Sequence, residues 1–283
     1  MQERVLLTGI NAREATTERW NVYVVADYGK GDAAFAEVAA RFRAQHGGIS
    51  AEKIAVPPFS TLSTGFWIAQ MGLENAYPGM VIFSNTAPRG TPEAIRWQGD
   101  ERQRLLFGIL DTGVPVCAIS TGYNWSFVKH RLSALYELNI ANSGSQFRSR
   151  DIYPQALARI LARDESIIGN VVDPTLIPDV PLDRLAYTDG YGNIKTTTRA
   201  SQFKTFLLTQ RLLKIRIGSA SAVVYNHLFG QEAGVDDLGL VGGSSGGKED
   251  PFLEIIKRGG SAAYVFGNPS VYDERGPIEF SPL

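Results

Sequence analysis

Two aspartates flank a glycine-containing turn near the start of the chain. Asp27 and Asp32 enclose residues 28–31, directly after the β-branched and aromatic run 20–26. A carboxylate at the carboxyl end of a strand can accept hydrogen bonds from both hydroxyls of a ribose, because its two oxygens match a vicinal diol. Aspartates are also common in turns and at helix N-termini. The pattern by itself leaves nucleoside binding and local capping both open.

A second candidate is the glycine-rich stretch 242–249. Gly242 and the pair 247–248 have the spacing of a nucleotide-triphosphate loop. Glu249, however, takes the place of the hydroxyl that would hold Mg²⁺, and Pro251 follows it closely. These two residues favour a glycine-rich β turn over a phosphate site.

Other common catalytic and metal-binding patterns are not supported. The histidines at positions 46, 130 and 227 share no metal-ligand spacing with one another or with Cys117, and they form no nucleophile arrangement. Cys117 lies in an apolar, strand-like segment, which predicts a buried core thiol. We therefore expect no metal, and a lone cysteine fits a reducing cytoplasm.

The charge balance argues against two classes of partner. The 283 residues include 28 basic and 29 acidic side chains, and the net charge of -1 offers no footprint for nucleic acid or an anionic membrane. No apolar run reaches membrane-spanning length, and the N-terminus has no signal-peptide pattern.

An apolar content of 44% supports a sizeable core and, at this length, two domains. We expect a cytoplasmic protein with a small-molecule ligand.

Strand-like and helix-like segments alternate in the first half of the chain. The predicted strands are 20–26, 80–84 and 114–119, and the predicted helices are 35–42, 63–77, 101–110 and 125–138. This alternation predicts an α/β domain with a mostly parallel sheet covered by helices. Ligands of such sheets bind at the carboxyl ends of the strands, where Asp27 lies.

The pattern changes near the prolines of segment 177–181. Beyond them, glycine-rich turns separate short apolar runs, and side chains alternate in polarity over 213–217. These features predict a smaller antiparallel β domain. We place the boundary so that the domains comprise residues 1–178 and 179–283.

Several short motifs occur in the order seen in one enzyme family. Residues 147–152 and 189–193 are the clearest, and the segments 57–59, 244–246 and 253–263 accompany them. Together they cover most of the chain. The chain resembles the enzymes that attack C5′ of S-adenosylmethionine with a small nucleophile, namely fluorinases, chlorinases and S-adenosylmethionine hydroxide adenosyltransferases.

The resemblance implies roles for residues in the first domain. Asp27 matches the ribose-binding aspartate of the family, which favours nucleoside binding over capping for this residue. Phe59 matches an aromatic wall of the ribose, and Phe147 is implied as a second wall. Ser149 stands where the fluorinase-like branch has a halide-binding serine.

The resemblance also implies roles in the second domain. Asp189, Tyr191 and Asn193 match a turn that holds the methionine amino group and an adenine-stacking ring. Ser244 and Ser245 match a serine-containing segment at the methionine end. The implied ligand, S-adenosylmethionine, would be a substrate of the protein and would need no metal.

The chain departs from the hydrolytic branch at its water-activating residues. The aspartate and histidine of that branch correspond here to Asn85 and Arg148. Displacement at C5′ needs little acid or base, because methionine leaves as a neutral thioether. It needs a dehydrated nucleophile held in line by hydrogen-bond donors. Ser149, Asn85 and Thr86 are the candidate catalytic donors.

The leading hypothesis is an enzyme that cleaves the C5′–S bond of S-adenosylmethionine and releases L-methionine and a 5′-substituted adenosine. One alternative is a non-catalytic binder or sensor of S-adenosylmethionine or adenosine, and another is an enzyme acting on a different nucleoside. In the family the pocket lies between the N-terminal domain of one subunit and the C-terminal domain of the next. The resemblance therefore implies a homotrimer, or a hexamer of paired trimers.

Overall fold

The computed structural model describes residues 19–29, 31–88, 97, 103–141, 144–226, 234, 237–270 and 277–283. Internal contacts divide the chain into two compact units, of which the first ends at Asp179 and the second begins at Val180. In the described residues, each unit contains one seven-stranded sheet of mixed orientation.

The sheet of the first unit is part parallel and part antiparallel. Its strands are β1 (Trp20–Ala26), β2 (Ile49–Ala55), β3 (Met80–Asn85), β4 (Leu105–Leu110), β5 (Pro115–Ile119), β6 (Leu132–Leu138) and β7 (Ile168–Val171). They lie in the order β2-β1-β3-β5-β4-β6-β7. The first four in this order are parallel, whereas β4, β6 and β7 are joined by antiparallel pairings. The helices of this unit are α1 (Ala34–Gln45), α2 (Thr61–Ala69), α3 (Arg148–Asp151) and α4 (Tyr153–Leu161).

Strand β1, between β2 and β3 in the sheet, packs against hydrophobic residues on both faces, since successive side chains of a strand point to opposite sides. Val22 belongs to one hydrophobic cluster with Phe42 of α1, and Val25 belongs to another with Ile68 of α2. Asp32 accepts a hydrogen bond at 2.9 Å from the backbone N–H of Ala34, so it orders the turn that leads into α1, whose N-cap residue is Ala33. Because β1 pairs in parallel with both β2 and β3, the carboxyl ends of these three strands lie at one edge of the sheet.

Two of the predicted helices are wrong. Segment 105–110 forms β4, and segment 125–138 contains turns, a 3-10 turn at Lys129–Arg131 and β6. All six residues of β4 are buried, so its sequence is a continuous apolar run, which periodicity does not distinguish from a buried helix. Residues 101 and 102 of that prediction lie outside the described residues. The sheet is consequently mixed and not mostly parallel.

The other predicted elements of the first unit are confirmed. The predicted strands correspond to β1, β3 and β5, and the helix predicted at 35–42 is α1. The helix predicted at 63–77 begins at Thr61 as α2 and continues as a π-helical turn over Gln70–Glu74.

The second unit is a mainly antiparallel sheet. Its strands are β8 (Leu185–Thr188), β9 (Ile194–Arg199), β10 (Leu212–Ile217), β11 (Ala220–Asn226), β12 (Leu238–Gly242), β13 (Phe252–Lys257) and β14 (Glu279–Pro282), in the order β14-β10-β11-β12-β13-β9-β8. Among the described pairings, β11 with β12 is parallel and the others are antiparallel. Two short helices, α5 (Thr205–Leu208) and α6 (Ala262–Val265), accompany the sheet. Its core includes Leu213, Ile215 and Phe266.

The helices of the described residues are short or amphipathic. None of them has both the length and the apolar character that a crossing of the bilayer requires.

Candidate functional site

The carboxyl ends of β1 and β3 place polar residues next to each other. Ala26, the last residue of β1, pairs in register with Asn85 at the end of β3, so Asp27 and Thr86 follow at the same edge. The two strands are parallel, and ligands of such sheets bind outside the carboxyl ends of the strands. We call this edge, together with the loop after β2, the N-terminal site.

Asp27 connects the loops that follow β1 and β2. Its Oδ2 accepts a hydrogen bond from the backbone N–H of Phe59 at 2.7 Å. Phe59 has a φ of 61°, a left-handed conformation that costs a non-glycine residue about 1–2 kcal/mol. The charge-assisted hydrogen bond offsets that cost. The predicted ribose-binding carboxylate and the predicted aromatic wall are therefore direct neighbours.

Tyr28 is a site residue that the sequence analysis missed. Its hydroxyl donates a hydrogen bond to Oγ of Ser149 at 2.7 Å, and the Asn85 amide is a second hydrogen-bonding neighbour. Its ring packs edge-on against Phe35 and Phe147, with centroids 4.9 and 5.8 Å away. The feature of the sequence that could have revealed it is a tyrosine directly after the aspartate at the end of a predicted strand. Tyr28 brings together two of the three candidate donors.

Burial is the largest influence on the Tyr28 hydroxyl, and it raises the pKa of this group above its usual range. The Ser149 hydroxyl and the Asn85 amide lower the pKa, because hydrogen bonds stabilise the phenolate. The proximity of Asp27 and Tyr153 raises it further. Tyr28 is therefore protonated at physiological pH. The N-terminal site combines one carboxylate with neutral hydroxyl and amide groups.

Thr86 is buried and takes part in the packing of α2. Its Oγ1 accepts a hydrogen bond from the Thr64 hydroxyl at 2.9 Å, and its carbonyl accepts one from the Asn124 amide at 3.0 Å. The hydroxyl of this third candidate donor is thus bonded to a helix residue, whereas Ser149 and Asn85 both neighbour Tyr28.

The turn that begins at Phe147 presents Ser149, which is buried. The Phe147 carbonyl accepts a hydrogen bond from the backbone N–H of Asp151 at 3.0 Å, which closes the short helix α3. The Arg150 guanidinium lies 4.9 Å from the centre of the Phe147 ring and forms an ion pair with Asp151. This arginine and the Ser145 hydroxyl lower the pKa of Asp151 to about 2. These contacts of Arg150 stabilise the turn on its solvent-exposed side.

Asp189 orders the turn between β8 and β9 in the second unit. Its Oδ1 accepts hydrogen bonds from the backbone N–H groups of Tyr191 and Asn193 at 2.9 and 3.0 Å, and its Oδ2 accepts one from Nδ2 of Asn193 at 3.0 Å. Gly192 has a φ of 82° and leaves no room for a side chain beside Ser261. The Tyr191 side chain is 83% exposed at the tip of this turn.

A buried ammonium group lies beside this turn and was not predicted from the sequence. Nζ of Lys195 is 3.1 Å from Oε2 of Glu254, 3.9 Å from Oδ2 of Asp189 and 3.5 Å from Oγ of Ser244. The side chains of Lys195 and Glu254 are only 10% and 9% exposed. The resemblance implies that Asp189 and Ser244 bind the methionine end of the ligand. In the structure both side chains lie beside the Lys195 ammonium group. The sequence around Lys195 gave no signal of this, because the burial of β9 and the partner Glu254 are seen only in the fold.

The glycine-rich loop after β12 leads into β13, an antiparallel partner, and not into a helix. Ser245 is buried, and its carbonyl accepts a hydrogen bond from the backbone N–H of Phe252 at 2.9 Å. The Arg199 guanidinium donates to the carbonyls of Gly246 and Asp250 at 2.6 and 2.7 Å. These contacts fit the predicted glycine-rich turn and not a phosphate loop.

In the described part of the chain, no group of three or more His, Cys, Asp or Glu side chains is placed to hold a metal ion. His227 lies outside the described residues. Cys117 is buried as predicted, and burial raises the pKa of its thiol far above the usual range.

Comparison with known proteins identifies the fold but no family. No protein-family model and no curated protein matches the chain. The chain is similar to the solved structure of an uncharacterized conserved protein from Thermotoga maritima, with a TM-score of 0.67, 16% identity, and coverage of 92% of this chain and 99% of that one. It is also similar to a conserved hypothetical protein from Thermus thermophilus, with a TM-score of 0.62, 17% identity, and coverage of 93% and 100%.

Proposed function

We propose that this chain binds S-adenosylmethionine and cleaves its C5′–S bond by nucleophilic substitution, as a divergent member of the family that it resembles. The observation that carries the proposal is the position of the Tyr28 hydroxyl, which bonds to Ser149 and neighbours Asn85. Asp27 precedes this tyrosine at the strand end. Tyr28 thus lies next to Asp27, the proposed acceptor for the ribose hydroxyls, and next to Ser149 and Asn85, the proposed donors to the nucleophile.

The chemistry of the substrate fits a site whose candidate donors are neutral. A bond forms between the nucleophile and C5′ as the C5′–S bond breaks, and the electron pair of the C5′–S bond leaves on sulfur in the neutral thioether of L-methionine. A water or thiol nucleophile then loses its proton to solvent, whereas a halide has no proton to lose. No general acid is needed. Asp27 accepts hydrogen bonds from the ribose hydroxyls, and Ser149 and Asn85 hold the nucleophile in line. Because Tyr28 remains protonated, the site keeps its charge at physiological pH.

The second unit supplies the remaining contacts in this proposal. The exposed Tyr191 ring stacks on adenine, and the Asp189–Asn193 turn with Ser244 and Ser245 holds the methionine end. The protein assembles as a homotrimer, or as a hexamer of paired trimers, so that subunits share their sites. Light scattering tests the assembly: a mass of one chain with ligand binding intact would contradict it.

We also propose that the protein works in the cytoplasm. The single cysteine, Cys117, is buried and has no second cysteine in the chain to pair with, which fits a reducing compartment.

The experiment is incubation with S-adenosylmethionine and a panel of nucleophiles, including water, halides and thiols. Mass spectrometry follows the release of methionine and the mass of the adenosine product. We expect release above the control without enzyme, and its loss in the Asp27→Ala variant. Absence of any product with every nucleophile would exclude the reaction.

A second candidate function is binding of S-adenosylmethionine without chemistry. The specific observation in its favour is that Asn85 and Arg148 stand where the hydrolytic branch has its water-activating aspartate and histidine. Calorimetry separates the two functions, because a binder gives a saturable heat of binding with S-adenosylmethionine while methionine release stays at the background rate.

A further inference from the structure

The hydroxyl of Tyr28 lies where a nucleophile would be held. It is 2.7 Å from Oγ of Ser149 and within hydrogen-bonding reach of the Asn85 amide. A water molecule or an anion bound to these two groups would need the same space. The Tyr28 side chain is partly buried, and its hydroxyl is engaged with Ser149.

The ring of Tyr28 is held in place by its neighbours. Phe35 and Phe147 contact it edge-on, with interplanar angles of 72° and 84°. Edge-on aromatic pairs of this kind are favourable beyond the apolar area that they bury. Moving the hydroxyl away from Ser149 by rotating the side chain would disrupt both contacts.

We propose that Tyr28 determines specificity in the N-terminal site: its hydroxyl limits the access of water and monatomic anions to Ser149 and Asn85. The proposal rests on the proposed function in one respect, namely that these two side chains hold the nucleophile. A small nucleophile gains access when the phenol is removed or displaced.

Two variants of Tyr28 open the site to different degrees, and each has a matched control. Tyr28→Phe removes the hydroxyl but keeps the ring, and its control, Tyr153→Phe, removes a neighbouring buried hydroxyl that has no hydrogen-bond partner in the described residues. Tyr28→Leu also removes the distal ring and makes room for an ion. Its control, Phe42→Leu, makes the same kind of truncation in the same hydrophobic cluster, at a ring that packs against Phe83.

The first measurement is methionine release from S-adenosylmethionine in the presence of chloride. We expect Tyr28→Leu to exceed the wild type by at least about tenfold, because two oriented donors become available to the anion. Tyr28→Phe should lie between them, and both controls should match the wild type. Folding of every variant is checked by circular dichroism.

The second measurement does not depend on S-adenosylmethionine. Crystals of the wild type and of Tyr28→Leu are soaked in bromide, and anomalous scattering locates the ion. We expect a bromide peak between Ser149 and Asn85 in Tyr28→Leu and none there in the wild type. A peak in the wild type, or none in folded Tyr28→Leu, overturns the proposal. If bromide binds as expected while no variant releases methionine, the restriction of access by Tyr28 holds and the proposed reaction is wrong.

Discussion

The carboxylate of Asp27 accepts a hydrogen bond from the backbone of Phe59, a residue 32 positions later in the chain that has a left-handed backbone conformation. One side chain thereby joins the loops after two parallel strands. A ligand that binds to Asp27 would meet the Phe59 ring at a position that Asp27 itself helps to fix. Binding and local structure are thus coupled at this residue.

Asp27→Ala should weaken S-adenosylmethionine binding by about 2–4 kcal/mol, because two ribose hydroxyls lose a charged acceptor. It should also lower the free energy of unfolding by about 1–2 kcal/mol, since the left-handed Phe59 loses its partner. Calorimetry and urea unfolding measure the two effects. Asp27→Asn, which keeps an acceptor oxygen, is the control and should retain most of the stability. An unchanged dissociation constant in folded Asp27→Ala would show that Asp27 does not bind the ligand.

Gly192→Ala should destabilise the second unit by about 2–4 kcal/mol. The new methyl would lie 2.0 Å from Oγ and 2.7 Å from Cβ of Ser261, and the φ of 82° is itself unfavourable for alanine. Oγ of Ser261 also accepts a hydrogen bond from the backbone N–H of Tyr264 at the start of α6, so rotating it away loses a cap worth about 1 kcal/mol.

The matched control for this variant lies two residues earlier in the same turn. A Cβ on Gly190 would meet no atom within 4 Å, so Gly190→Ala should leave stability within about 0.5 kcal/mol of the wild type. Urea unfolding compares the two variants. Equal stabilities for Gly192→Ala and Gly190→Ala would contradict the packing of this turn against Ser261.

The sequence predicts local elements better than it predicts the site. The sequence identifies β1 by its β-branched and aromatic residues and α1 by its helical period. It fails at β4, where burial on both faces leaves no periodicity. The contact of Tyr28 with Ser149 joins residues 121 positions apart, and it follows from the packing of α3 and not from any local spacing. Lys195 was missed for a similar reason, since its partner Glu254 lies on another strand.

The acid stability of the first unit should depend in part on Asp151. Arg150 and Ser145 lower the pKa of its carboxyl from the ordinary value of 3.8 to about 2 in the folded state. The folded state therefore favours the charged form, and this stabilisation is fully present above pH 3.8 and is lost as the pH falls toward 2. In thermal unfolding, Asp151→Asn should have a lower Tm than the wild type at about pH 5, and the difference should shrink by about pH 2. A difference that is constant over this range would exclude the ion pair as its cause.

Lys195→Met should be among the most destabilising substitutions in the second unit. The variant leaves Glu254 buried and Asp189 nearby without their shared cation, and removing one partner of a buried ion pair costs about 3–5 kcal/mol. The double variant Lys195→Met with Glu254→Gln should recover part of this loss, because it removes the buried charge that the first change leaves unpaired. Urea unfolding of the two single variants and the double variant gives the coupling energy between the two side chains. Strictly additive effects would mean that the ammonium and the carboxylate do not interact.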